Sequence, residues 1–136
     1  MYKEPDQEEI KRVVELGVKK IDNRKVHETV TREKDLNEKF AKVPSWFDKQ
    51  VNKLKLLFSL LKDYYYGNYT EIPWTSIALI TFAIIYFISP IDLIPDVIPV
   101  VGYIDDAAVI GFVWKAIEHD LKIYAQKTGK DLSLFW

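Results

Sequence analysis

The chain has 136 residues, 49% of them apolar, and a mean hydropathy of -0.10, enough for one domain with a buried core. It has no cysteine, which excludes disulfides, thiolate catalysis and Cys-ligated zinc. A net charge of -1, with bases and acids interspersed, argues against the basic face that nucleic-acid binding needs.

Charge and grease divide unevenly along the chain. Residues 1–70 carry 15 Lys/Arg and 12 Asp/Glu, whereas residues 71–136 carry 4 and 8. The opening MYKEPDQEEIKR is polar and acidic. A secretory signal has a basic start and an apolar run, so none is expected. Asp6 and Glu9 have capping-box spacing, and Ile10, Val13, Val14, Gly17 and Ile21 follow at helical intervals, which predicts a helix over 6–22 with a stop at Asn23. Residues 24–42 are mostly charged, with a thin stripe of Val26, Val30, Leu36 and Phe40, and read as a second helix.

After Pro44-Ser45, Phe47, Val51, Leu54, Phe58, Leu61 and Tyr65 recur at alternating spacings of 4 and 3. Lys49, Lys53, Lys55, Lys62 and Asp63 fall on the other side. This predicts an amphipathic helix over 45–66, ended by Gly67-Asn68. Pro73 is placed to open a helix over 74–88, WTSIALITFAIIYFI, which is apolar nearly all round. The last helix is predicted from Asp105 or Asp106 to about Gln126. Beyond it, the tail DLSLFW carries aromatics expected to dock on the rest of the chain. No strand pattern persists, so the fold class is all-α, with four or five helices.

Between the two apolar helices lies a stretch punctuated by Pro and Asp. Ser89-Pro90-Ile91-Asp92 is a helix-start signal, with an acceptor, a proline and a returning carboxylate in capping positions. Pro95 limits that helix to about a turn, Asp96 caps a second turn containing Pro99, Gly102 supplies an unusual backbone conformation, and Asp105 or Asp106 opens the last helix. Each aspartate thus has a local role as a cap. The other reading is that Asp92, Asp96, Asp105 and Asp106 converge, in which case protonation, a basic partner or a hard cation such as Mg²⁺ or Ca²⁺ must relieve their repulsion. The spacing matches no calcium loop, and the sequence itself implies no metal or other cofactor.

This run resembles the YkvA-like family, a bacterial family of unknown function with a hallmark of the form Y-x-x-SP-x-DLIPD-x-IP-x-x-G-x-x-DD. Here the hallmark is Tyr86, Ser89, Pro90, Asp92, Leu93, Ile94, Pro95, Asp96, Ile98, Pro99, Gly102, Asp105 and Asp106. The resemblance covers about residues 50–125. It implies a helical hairpin, often membrane-associated, with no established activity. The chain then divides into a charged helical segment, 1–45, a YkvA-like hairpin domain, 46–128, and a short tail, 129–136.

The helix over 74–88 admits two readings. Its 15 residues reach about 22 Å, short of the roughly 30 Å hydrocarbon core, which suits the centre of a bundle. Aromatics at both ends, Tyr64, Tyr65, Tyr66, Tyr69 and Trp74 at one and Tyr86 and Phe87 at the other, suit a membrane segment or a shallow hairpin. Lys55 and Lys62 on its N-terminal side would keep the N-terminus cytoplasmic.

Neither histidine, His27 or His119, sits in a ligand or catalytic pattern. There is no phosphate loop, nucleophile elbow or zinc helix. The expectation is a non-enzymatic protein of the cytoplasmic membrane with a scaffold or interaction role, in contact with lipid and with a protein partner or a second copy, but with no nucleic acid and no small-molecule substrate. The alternatives are a soluble cytoplasmic helical-bundle module and, more remotely, a metal-dependent enzyme using the four aspartates.

Overall fold

The computed structural model describes residues 7–89 and 106–136, and for Asp106 the backbone alone. Within them the chain is all-helical, as expected, but has seven α-helices rather than four or five. They are α1 (Gln7–Val18), α2 (Asn23–Val30), α3 (Glu33–Phe40), α4 (Asp48–Tyr65), α5 (Trp74–Ile88), α6 (Asp106–Ala116) and α7 (Glu118–Lys127). Short 3-10 turns at Ser45–Phe47 and Leu132–Leu134 precede α4 and follow α7.

The extra helices have local causes. Asn23 does not stop the first helix; Asp22 caps the next one, accepting from the Lys25 N–H at 2.8 Å. The charged segment 24–42 breaks at Thr31-Arg32. Just before the break the hydroxyls of Thr29 and Thr31 donate to the carbonyls of Lys25 and Glu28, each at 2.7 Å, a competition with the helix ladder that bends helices. The last helix swings out of helical geometry at Ile117 (φ -120°, ψ 20°). Its ladder persists there, from Ile117 N–H to Val113 at 3.1 Å and from Leu121 N–H to Ile117 at 3.0 Å.

The helix that is apolar all round, α5, is central. It touches α1, α2, α3, α4 and α6, and from Ser76 to Phe87 every residue except Leu79 is buried. Two polar side chains within it are satisfied: the Thr81 hydroxyl donates to Ile77 at 2.8 Å and that of Ser76 to Asp120 at 2.7 Å. The charged N-terminal helices bury thin stripes in the same core: Ile10, Val13 and Val14 from α1, Val26 and Val30 from α2, Leu36 from α3. Phe47, just before α4, and Val51, Leu54, Phe58 and Leu61 on it are buried as the spacing predicts, but Tyr65, the end of that stripe, is exposed.

Positive φ angles at Gly67 (80°) and Gly129 (72°) end α4 and α7. After the second, the tail docks. Phe135 is buried, Trp136 lies 4.8 Å from Trp114, and the Trp136 indole donates to Glu118 at 3.1 Å. Removing the Phe135 ring should cost roughly 3 kcal/mol, like other buried aromatics. Urea unfolding of Phe135→Ala measures it. A loss under 0.5 kcal/mol would mean that the tail is not part of the core.

Candidate functional site

The hallmark residues that the structure describes are Tyr86, Ser89 and the backbone of Asp106. Pro90, Asp92, Pro95, Asp96, Pro99, Gly102 and Asp105 lie outside the described residues, and with them the question of whether the four aspartates converge. Among the described residues no three His, Asp or Glu side chains are grouped to hold a metal ion.

Tyr86 is buried, its ring 5.8 Å from that of Phe82 in the previous turn of α5. Ser89 ends the helix: its N–H donates to Ile85 at 2.7 Å, and its backbone leaves helical geometry (φ -154°, ψ 82°), consistent with the bias of a residue before proline away from the helix. The tyrosine and phenylalanine read as the second half of an aromatic belt are therefore core residues, because α5 is sheathed by its neighbours up to its last turn.

Around this end of α5 the chain builds an aromatic and basic cap. Phe87 stacks on Phe47 (5.9 Å, 7° between planes) and leans on Phe40 (5.5 Å), while the Lys39 ammonium lies 5.0 Å over the Phe87 ring. Trp46 sets its edge to Phe47 at 5.7 Å and is itself 75% exposed. An open groove near it is lined by Arg32, Asp35, Glu38, Lys39, Lys42 and Ile88, among others. This concentration was missed in the sequence because its parts come from three segments. The local signal was Trp46, an aromatic off the periodic stripe of α4 and two residues after Pro44.

A polar network holds the other end of the bundle. The Tyr124 hydroxyl, on a ring with no exposed surface, donates to the Asp63 carboxylate at 2.6 Å and lies 2.7 Å from the Ser59 hydroxyl. Burial first, and then the Asp63 carboxylate, push the Tyr124 pKa well above the usual tyrosine range. Such a phenol is a donor and not a base. The contact ties α7 to α4, and the Asp120–Ser76 bond ties it to α5. Asp63 had been placed on the solvent side of α4, yet it shares a face with Ser59 one turn earlier, as Asp120 does with Tyr124 on α7. Outside this network, His27 is exposed and hydrogen-bonds through Nδ1 to the Tyr65 hydroxyl; His119 is exposed.

A family described as a protein of unknown function (DUF1232) matches residues 76–112, from the first turn of α5 into α6, the hallmark included. The chain is also similar to the "Uncharacterized membrane protein YkvA" of Bacillus subtilis (strain 168), at 40% identity over 76 residues, which cover 56% of this chain and 72% of that protein. No solved structure matches the chain. The relative's identity over most of its length, together with the hallmark over residues 86–106, makes this chain a member of the YkvA-like family of unknown function.

Proposed function

We propose that the chain is a non-enzymatic helical bundle that associates with the surface of the cytoplasmic membrane, on its cytoplasmic side, and acts there as a scaffold or interaction module. The observation that carries this reading is a contrast. The central helix is closed in by protein, while large aromatics stand exposed near its two ends: Trp46 at the C-terminal end, Tyr65, Tyr66 and Trp74 at the N-terminal end. Such rings favour the boundary between water and lipid. The name of the Bacillus subtilis relative, a membrane protein, supports the same setting.

Surface attachment fits better than a span. Among the described residues no helix is long and apolar enough to cross a membrane. Exposing α5 to lipid would also strip it of α1, α2 and α3, whose outer faces are charged. The cytoplasmic side is favoured by the run from Lys39 to Lys55, which holds five lysines and one acid. The Tyr124–Asp63–Ser59 network reads as a structural tie, which supports a non-enzymatic role.

The second reading, a soluble interaction module using the charged N-terminal helices, is favoured by the burial of α5 from Ser76 to Phe87, Leu79 excepted. Fractionation separates the two. Membrane pelleting at low salt with release by carbonate is the expected outcome. Recovery wholly in the soluble fraction without detergent would favour the soluble module, and retention through carbonate would exclude a surface mode.

A further inference from the structure

We propose that the end of the bundle bearing Trp46 is the face that meets the bilayer, and that its ligand is a layer of anionic phospholipid headgroups. This rests on the membrane reading above and adds to it an orientation and a lipid chemistry.

Trp46 has the highest exposure of the large apolar side chains among the described residues that stand free of the core. It is also rigidly presented. It sits on the 3-10 turn between Pro44 and α4, and its ring abuts Phe47, which is buried and stacked on Phe87 of the central helix. A rigid indole gives up little conformational freedom when it enters an interface. Exposed Pro44 and half-buried Val43 and Ile88 extend the apolar surface beside it.

Among the described residues, four bases and three acids surround Trp46. Lys42 and Lys49 flank it in sequence, both exposed, and Lys39 lies over Phe87 behind it. The acids nearby, among the described residues, are Asp48, Glu38 and Asp35, the last paired with Arg32 at 3.1 Å. Exposed aromatics at the opposite end lack this setting. Tyr65 is engaged by His27, and Glu71 is paired with Lys127 at 2.9 Å. Apolar insertion and lysine attraction together give stable attachment where either alone is marginal. A lysine close to an anionic surface strengthens binding roughly fivefold.

The test uses the full chain in vesicle flotation, with neutral phosphatidylcholine vesicles and with vesicles containing about 30% phosphatidylglycerol. The wild type should float with the anionic vesicles and much less with the neutral ones. Lys42→Gln combined with Lys49→Gln should weaken that binding about tenfold or more. Trp46→Ser should also weaken it, by about fivefold or more, whereas Trp74→Ser should not. All four side chains are exposed, so unchanged melting of each variant confirms an intact fold. Two results overturn the proposal while leaving membrane association standing: Trp46 and lysine variants that float like wild type, or a loss that follows Trp74. Wild type that floats with neither vesicle also overturns it, and carbonate fractionation of cells then decides the membrane reading by itself. Lysine variants that melt earlier but float normally would assign these lysines to the fold instead.

Discussion

Replacing Gly17 with alanine should destabilise the protein by roughly 3 kcal/mol, the upper end for overpacking a core, and lower its melting temperature by about 10 °C. Two effects oppose each other at this site. Alanine is the better helix former by about 1 kcal/mol, which alone would stabilise α1. Against it, a Cβ at Gly17 would lie 1.8 Å from Cε2 of Phe82, 2.4 Å from Cδ2 and 2.9 Å from Cζ. Phe82 has no exposed surface and packs against Tyr86, so its ring has nowhere to swing. Either α1 backs away from α5 or the ring leaves its well, and both outcomes loosen the centre of the bundle. The clash is with one named ring, so trimming that ring should relieve it. Phe82→Leu in the Gly17→Ala background should lose less than the sum of the two single losses, by about 1–3 kcal/mol in a double-mutant cycle from urea unfolding. Gly17→Ala melting at or above wild type would mean that α1 is not seated on α5 as described.

That contact marks the limit of what the sequence disclosed. Its apolar periodicity was enough to find α4 and α5 and to name Val51, Leu54, Phe58 and Leu61 as core, because burial of one stripe is a property of the helix itself. Gly17 also fell on the predicted stripe of α1, but periodicity does not say what a helix rests on, so nothing pointed to Phe82. The short helices α2 and α3 were merged because their charged composition hides the break. It lies in threonine back-bonds, which look like ordinary polar positions when read one residue at a time. The candidate interface escaped for a related reason. Phe40, Trp46 and Phe87 belong to three elements, and only the packing of α3 and α4 on the end of α5 makes them neighbours. The hallmark, read as a capped turn, falls mostly on residues outside those described. Its outer flanks, Tyr86 and the start of α6, are where that reading meets described structure.

Removing the Tyr124 hydroxyl should weaken the fold at neutral pH and make it less sensitive to alkali. At pH 7–9 Tyr124→Phe deprives the half-buried Asp63 carboxylate of a donor at 2.6 Å and Ser59 of its partner, a loss of roughly 1–3 kcal/mol. The sign at high pH follows from the raised folded pKa of Tyr124. Above about pH 10 the unfolded chain gives up the phenolic proton while the folded protein keeps it, so the unfolded state binds fewer protons and stability falls. The contribution is thus fully present below the ordinary tyrosine pKa and is lost above it, at about 1.4 kcal/mol per pH unit. Tyr69, whose pKa burial also raises, and Lys127, raised by its hydrogen bond to Glu71, contribute in the same direction. Lys53 contributes in the opposite one, since burial beneath its neighbours and the charge of Lys49 lower its pKa. Those groups are common to both proteins, so the difference between wild type and Tyr124→Phe isolates Tyr124. Unfolding in urea at pH 9, 10 and 11 should show the wild-type advantage shrinking by about 1 kcal/mol or more between pH 10 and 11. An advantage of equal size at all three would mean that Tyr124 titrates as it does in the unfolded chain, and that its hydroxyl is not held by Asp63.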